Sequence, residues 1–93
     1  MSARSDVYSL GVVIYEMVTG RVPFYAAESV DVLYMHLTQE PEAPSSHRPV
    51  PPEIEALILR CMSKRPEDRP QSMHALIAEL DEVMEALMPS DPA

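Results

Sequence analysis

Ser5-Asp6-Val7-Tyr8-Ser9-Leu10-Gly11-Val12-Val13-Ile14-Tyr15-Glu16-Met17-Val18-Thr19-Gly20, continuing through Arg21-Val22-Pro23-Phe24, is the stretch on which the fold turns. Ser5 reads as an N-cap, because its hydroxyl can accept one of the backbone N–H groups left without a partner in the first turn. Asp6 puts negative charge at the positive end of the helix dipole. Gly20 stands where a left-handed residue ends a helix, and Pro23 follows closely enough to forbid continuation. The rival reading is a β-strand, since Val12-Val13-Ile14-Tyr15 is β-branched and aromatic. The length of the run and both end signals decide for a helix over about 5–19. Val7, Leu10, Val12, Val13, Ile14, Met17 and Val18 wrap around it instead of forming one stripe. A helix apolar on all sides is expected to be buried on all sides.

The bulk composition narrows the class. Ninety-three residues make one domain at most, and a chain of that size buries only about two-thirds of its unfolded surface. With 46% apolar residues it has enough material for a core, so disorder throughout is not expected. Ten prolines against two glycines suggest short helices joined by stiff connections. The formal charge of −8 argues against nucleic acid and against an anionic membrane surface, both of which need clustered Lys and Arg. Seven acids lie from Glu67 onwards against a single base, Arg69, which reads as a solvated helix face before it reads as a dock for a basic partner. Cys61 is the only cysteine, so no internal disulfide can form, and it falls on an apolar helix face. No signal-peptide pattern opens the chain, and no apolar run reaches the roughly 20 residues of a membrane span. The expected location is cytoplasmic.

Further along, a second helix is expected over about 28–39, with Ser29 or Asp31 near its start. Its apolar residues do not fall on one face, so it is expected to carry two contact surfaces, one inward and one outward. Pro41, Pro44 and Pro49 make Glu40 to Val50 an extended connection. Pro51-Pro52-Glu53 opens a third helix, about 53–63, with proline tolerated and acid favoured in its first turn. Ile54, Leu57, Ile58, Cys61 and Met62 give it an amphipathic face. A fourth helix is expected over about 72–88, with Met73, Leu76, Ile77, Leu80, Val83, Met84 and Leu87 on one stripe. Residues 89–93 read as a disordered tail. The expected fold is all-α, with four helices and no strand pairing.

Three segments in the right order resemble the C-terminal part of the large lobe of a eukaryotic-type protein kinase. Ser5-Asp6-Val7-Tyr8-Ser9-Leu10-Gly11, with Tyr15-Glu16-Met17 and Thr19-Gly20 through Pro23-Phe24, is similar to the family's buried F helix. Leu33-Tyr34-Met35-His36-Leu37-Thr38-Gln39-Glu40-Pro41 resembles the G helix in its bacterial serine/threonine form. Leu59-Arg60-Cys61-Met62 with Lys64-Arg65-Pro66-Glu67-Asp68-Arg69-Pro70 resembles the end of the H helix and the turn into the last helix. The resemblance runs from about Ser2 to Met84 and assigns residues 1–88 to part of that lobe. It implies two structural roles. Asp6 matches the aspartate that accepts hydrogen bonds from the backbone of the catalytic loop. Arg69 matches the arginine that pairs with a glutamate at the end of the activation segment. Neither partner lies in these residues, so Arg69 is expected to reach solvent or to borrow Glu67, Asp68 or a neighbouring molecule. Tyr34, Met35 and His36 of the second helix become candidates for docking a protein substrate or regulator.

The residues of phosphoryl transfer have no counterpart here. Gly11 and Gly20 are the only glycines and both belong to the first helix, so there is no Gly-rich loop. Lys64 is the only lysine and ends a helix, and neither a His-Arg-Asp loop nor an Asp-Phe-Gly metal motif occurs. No catalytic, cofactor-binding or metal-binding residue is expected in the chain, and ATP and Mg²⁺ would belong to a parent kinase. His36, His47 and His74 are too scattered for a metal site, and Ser45-Ser46-His47 reads as a surface loop. Two functions remain. The first is a fragment of a serine/threonine protein kinase, with the remainder of the kinase domain as its partner. The second is an independent helical module that covers its apolar surface by self-association as a homodimer or higher oligomer.

Overall fold

The computed structural model describes residues 2–88. The expected disordered tail over 89–93 lies outside the described residues. Four α-helices follow one another, α1 (Ala3–Thr19), α2 (Ser29–Thr38), α3 (Pro52–Cys61) and α4 (Met73–Leu87), with single 3-10 turns at Pro44–Ser46 and Pro66–Asp68. There is no strand among the described residues. α1 starts earlier than its sequence suggests. Ser2 is the N-cap and accepts the Ser5 N–H at 3.1 Å, so Ser5 sits inside the first turn instead of capping it. Both serines could cap; the earlier one does so because Ala3 and Arg4 carry no helix-breaking feature. At the other end Gly20 adopts φ 78° and donates its N–H to the Glu16 carbonyl, as its position predicts. A Cβ there would lie 2.8 Å from the Arg48 guanidinium.

The core is built where α1 crosses α3 and α4, and α2 stands apart from that trio. One cluster joins Val7 of α1, Leu57 and Cys61 of α3 and Leu76 of α4. The other joins Tyr15 of α1, Phe24 of the following loop, and Ile58 and Met62 at the end of α3. On α1 the fully buried positions are Val7, Gly11, Tyr15 and Thr19, a strict i, i+4 row. The expected burial on all sides does not occur: Met17 is 75% exposed and Val13 is 49% exposed. The physical reason is thickness. The molecule measures 15 Å along its shortest axis, room for two helix layers and no third, so α1 has one inner face.

Gly11 is the point of closest approach. A Cβ added to it would lie 2.6 Å from the Cys61 Cβ and 3.3 Å from the Met62 Cγ. The glycine is there because α3 occupies the space a side chain would need. Cys61 is fully buried at this crossing, and burial pushes its thiol up to about 11, leaving it an inert small hydrophobe.

Polar contacts tie down the connections. The Tyr15 hydroxyl donates to the Glu42 carbonyl at 2.8 Å, anchoring the proline-rich segment to the core. The Ser45 N–H donates to the Glu55 carboxylate at 2.7 Å, and hydrogen bonding from the Ser45 side chain and then its backbone lowers the Glu55 pKa. The Thr19 hydroxyl lies 2.8 Å from the Tyr15 carbonyl and accepts the Arg21 N–H at 3.2 Å, closing the C-terminal turn of α1. Ser72 caps α4 by accepting the Ala75 N–H at 3.0 Å, and Arg60 of α3 forms an ion pair with Glu79 of α4. Only Leu76 of the α4 stripe is fully buried, and Ile77, Met84 and Leu87 are exposed where the helix runs past the body.

Gly11→Ala tests the crossing. The added methyl must push α1 and α3 apart, a cost of about 1–3 kcal/mol for overpacking. Urea unfolding should give a lower midpoint with an unchanged slope, and an unaltered midpoint would show that the crossing has slack.

Candidate functional site

At the first two turns of α1 the surface opens into a cleft of about 270 Å³ lined by Ser5, Tyr8, Ser9, His36, Leu37, Lys64 and Arg69. Tyr8 reaches it because it follows Val7 by one residue, which turns its ring to the rim of the buried row. Lys64 and Arg69 reach it because α3 ends at Cys61 and the chain turns back through Pro66–Asp68 before α4 begins. Three separate elements therefore supply one pocket, and both cations at it come from the same turn.

Arg69 lays its guanidinium over the Tyr8 ring, with Cζ 4.8 Å from the ring centroid. Its Nε donates to the Ser63 carbonyl at 2.8 Å and its Nη1 to the Arg4 carbonyl at 3.1 Å. The expected substitutes, Glu67 and Asp68, are taken instead by Arg65, whose Nε lies 2.9 Å and 4.0 Å from their carboxylates. Among the described residues Arg69 has backbone acceptors and an aromatic face but no carboxylate. Lys64 donates to the His36 carbonyl at 2.8 Å and sits 4.8 Å from the Phe24 ring centroid. Burial lowers the Lys64 pKa, opposed by the Glu40 carboxylate. The Tyr8 hydroxyl is 2.7 Å from His36 Nδ1, and burial raises the Tyr8 pKa, so the phenol stays protonated.

Asp6 follows Ser5 of the cleft in the first turn of α1, exposed and with no hydrogen-bond partner for its carboxylate among the described residues. Of the three docking candidates on α2, Tyr34 is 64% exposed, whereas Met35 packs inward beside Tyr15 and Phe24 and His36 faces Tyr8. The outward face of α2 consists of Val30, Leu33, Tyr34 and Leu37, spaced i, i+3, i+4, i+7. The Tyr8–His36 bond spans 28 residues and has no local signature, so sequence reading misses it.

A second, broader groove of about 710 Å³ lies at the other end of α1, between Glu16, Tyr25, Met35, Glu42 and His47. His47 Nε2 is 3.8 Å from the Glu42 carboxylate there. Among the described residues no three His, Cys, Asp or Glu side chains gather closely enough to hold a metal ion, and no helix is long and apolar enough to cross a membrane.

Comparison with known proteins bears on this arrangement. The family model for protein tyrosine and serine/threonine kinases matches residues 1–80. Serine/threonine-protein kinase pkn3 of Myxococcus xanthus is 46% identical over 86% of the chain, which is 15% of that protein. Serine/threonine-protein kinase PknB of Mycolicibacterium smegmatis is 42% identical over 99% of the chain and 15% of its own length. Serine/threonine-protein kinase PksC of Streptomyces coelicolor is 36% identical over 100% of the chain and 17% of its own length. The chain thus spans about a sixth of the curated relatives it matches. It belongs to the protein tyrosine and serine/threonine kinase family, as an all-α segment from the C-terminal part of the large lobe of a bacterial, eukaryotic-type serine/threonine kinase.

Proposed function

We propose that this chain is the scaffold and docking portion of a serine/threonine protein kinase whose full polypeptide transfers the ATP γ-phosphoryl group to protein Ser or Thr hydroxyls. The observation that carries this reading is Arg69: a guanidinium fixed by two carbonyls and an aromatic ring beside an open cleft, with no carboxylate among the described residues. Fork geometry and constant charge suit arginine to hold an incoming carboxylate. In the whole enzyme that carboxylate belongs to the glutamate closing the activation segment. Asp6 then accepts hydrogen bonds from the catalytic-loop backbone. ATP and Mg²⁺ are held by residues outside this chain, because phosphoryl transfer needs a phosphate cradle, metal ligands and a base that these residues do not supply.

Docking falls to the outward face of α2. Val30, Leu33, Tyr34 and Leu37 offer a protein substrate or regulator an apolar helix surface, with Tyr34 as its aromatic anchor. A second reading is an independent module that self-associates, with a cytoplasmic location in either case. It is favoured by one specific observation, the exposure of Val13, Met17, Val22 and Tyr25 around the C-terminal half of α1. Apolar patches beyond a few hundred Å² are unusual on soluble monomers.

The mass of the endogenous polypeptide, with peptide mapping upstream of Met1, separates the two readings. A product of about 250 residues or more with ATP-dependent phosphotransfer supports the first; a product of these residues alone overturns it. The isolated chain should give no thermal shift with Mg-ATP, and a saturable shift would mean that the chain holds nucleotide by itself. In sedimentation the isolated chain should run as a dimer or larger, and a monodisperse monomer would remove the case for self-association.

Arg69→Ala should cost the chain about 1–2 kcal/mol in urea unfolding, through two hydrogen bonds and one ring contact in a half-exposed setting. In the whole protein it should also lower the phosphotransfer rate, by roughly tenfold or more if the guanidinium holds a buried carboxylate. An unchanged rate alongside the same stability loss would leave Arg69 a local brace only.

A further inference from the structure

α2 is held differently from the other helices. It has no fully buried residue, and its outward face is as apolar as its inward one. Met35 packs against the second core cluster, and the polar and aromatic contacts that join the helix to the body gather at one side chain. The His36 ring stands edge-on to Phe24, with centroids 4.8 Å apart and planes at 78°, and edge-on to Tyr8 at 5.7 Å and 69°. Its Nδ1 meets the Tyr8 hydroxyl at 2.7 Å, and its own carbonyl accepts the Lys64 ammonium at 2.8 Å. Ring, ring nitrogen and carbonyl are each engaged by a different element of the body.

We propose that neutral His36 is the latch that keeps α2 docked between Tyr8, Phe24 and Lys64, and that its protonation releases the helix. With the neutral ring protonated on Nε2, the tautomer this latch requires, the Tyr8 phenol donates to an unprotonated Nδ1. A second proton on the ring occupies Nδ1, and the phenol must turn from donor to acceptor. It also creates an imidazolium next to cations that cannot retreat. Lys64 is fixed by the His36 carbonyl and the Phe24 face, and Arg69 is fixed over the other side of Tyr8. Tyr8 from α1, Lys64 and Arg69 from the segment between α3 and α4, and Glu40 after α2 are the titratable or charged groups facing this site. Glu40 is the one anion among them, and its charge is felt at Tyr8 and Lys64.

Burial, and then the Lys64 charge, lower the His36 pKa from its ordinary 6.5. A histidine whose folded value lies below its unfolded one contributes fully above the unfolded value. That contribution fades as the pH falls below 6.5 towards the folded value. The latch is therefore closed at neutral pH and opens on mild acidification. The inference goes beyond the docking role of α2: it concerns what holds the helix, and it can be read without a docking partner or phosphotransfer.

Hydrogen-exchange mass spectrometry on the full polypeptide carrying these residues tests it, at about pH 7.5 and about pH 5.5 with correction for intrinsic exchange. Protection of the α2 amides, taken relative to those of α3, should drop roughly threefold or more at the lower pH. His36→Asn keeps an acceptor near the Nδ1 position and does not titrate in this range, so it should hold that ratio constant. His74→Asn, on the exposed side of α4, should behave as the unaltered protein does. A ratio independent of pH in the unaltered protein, or a drop that persists in His36→Asn, overturns the proposal. Should His36→Asn not fold, the His36 ring titration followed by NMR in the unaltered protein decides. A midpoint below 6.5 that tracks the loss of α2 protection supports the latch, and a midpoint at or above 6.5 refutes it.

Discussion

The contact between Gly11 and Cys61 fixes the rest of the molecule. Two helices can approach this closely only where one carries no side chain and the other a small one, and here hydrogen meets thiol-bearing Cβ. Once that point is set, the i+4 row of α1 brings Val7 against Leu57, Cys61 and Leu76 on one side and Tyr15 against Ile58 and Met62 on the other. Both helices contribute i+4 rows, Leu57–Cys61 and Ile58–Met62 answering Val7–Gly11–Tyr15, so ridge packs into groove along the whole crossing. The two halves of the core are thus consequences of a single register. The cleft depends on it too, because Tyr8 reaches the rim only if Val7 points to the centre.

Electrostatics at the turn after α3 separates two arginines of the same sequence neighbourhood. Arg65 is exposed and pairs with Glu67 and Asp68 in solvent, where screening leaves such pairs little to contribute. Arg69 sits four residues on and does a different job. It joins the carbonyl of Arg4 at the start of α1, the carbonyl of Ser63 at the end of the α3 turn, and the ring of Tyr8. Carbonyls and a π-face satisfy its hydrogen-bonding geometry, and among the described residues no carboxylate pairs with it.

Much of this fold was legible in the sequence. Four helices appear with their ends within about two residues of those expected, because Gly20, Pro52 and Ser72 act through local backbone chemistry that needs no tertiary information. The inward face of α3 was legible from its spacing: Leu57, Ile58, Cys61 and Met62 recur at the period of one helix face. The buried side of α1 was not. Its apolar residues surround the helix, so the pattern carries no direction, and only the position of α3 chooses Tyr15 over Met17. The choice of acceptors by Arg69 was equally hidden, since backbone carbonyls leave no trace in residue identity. Asp6, Arg69, Tyr34, Met35 and His36 were named from the family resemblance, whereas the link from Tyr8 to His36 joins residues 28 apart and exists only in the folded chain.

The way α2 is held follows from the same thinness that leaves α1 half bare. With room for two helix layers, α1, α3 and α4 use the available depth, and α2 is left at the edge with no residue fully buried. Its apolar attachment runs through the partly buried Met35, and a short list of polar and aromatic contacts through His36 completes it. Hydrogen bonds in such half-exposed places contribute about 1 kcal/mol each, and edge-on ring pairs about as much. An element held by a few such terms lies at the low end of the stability range within its own protein, and such elements are the ones that move when a partner arrives or a proton is added. On this helix the apolar outward face and the titratable inward contact are two sides of one ten-residue segment.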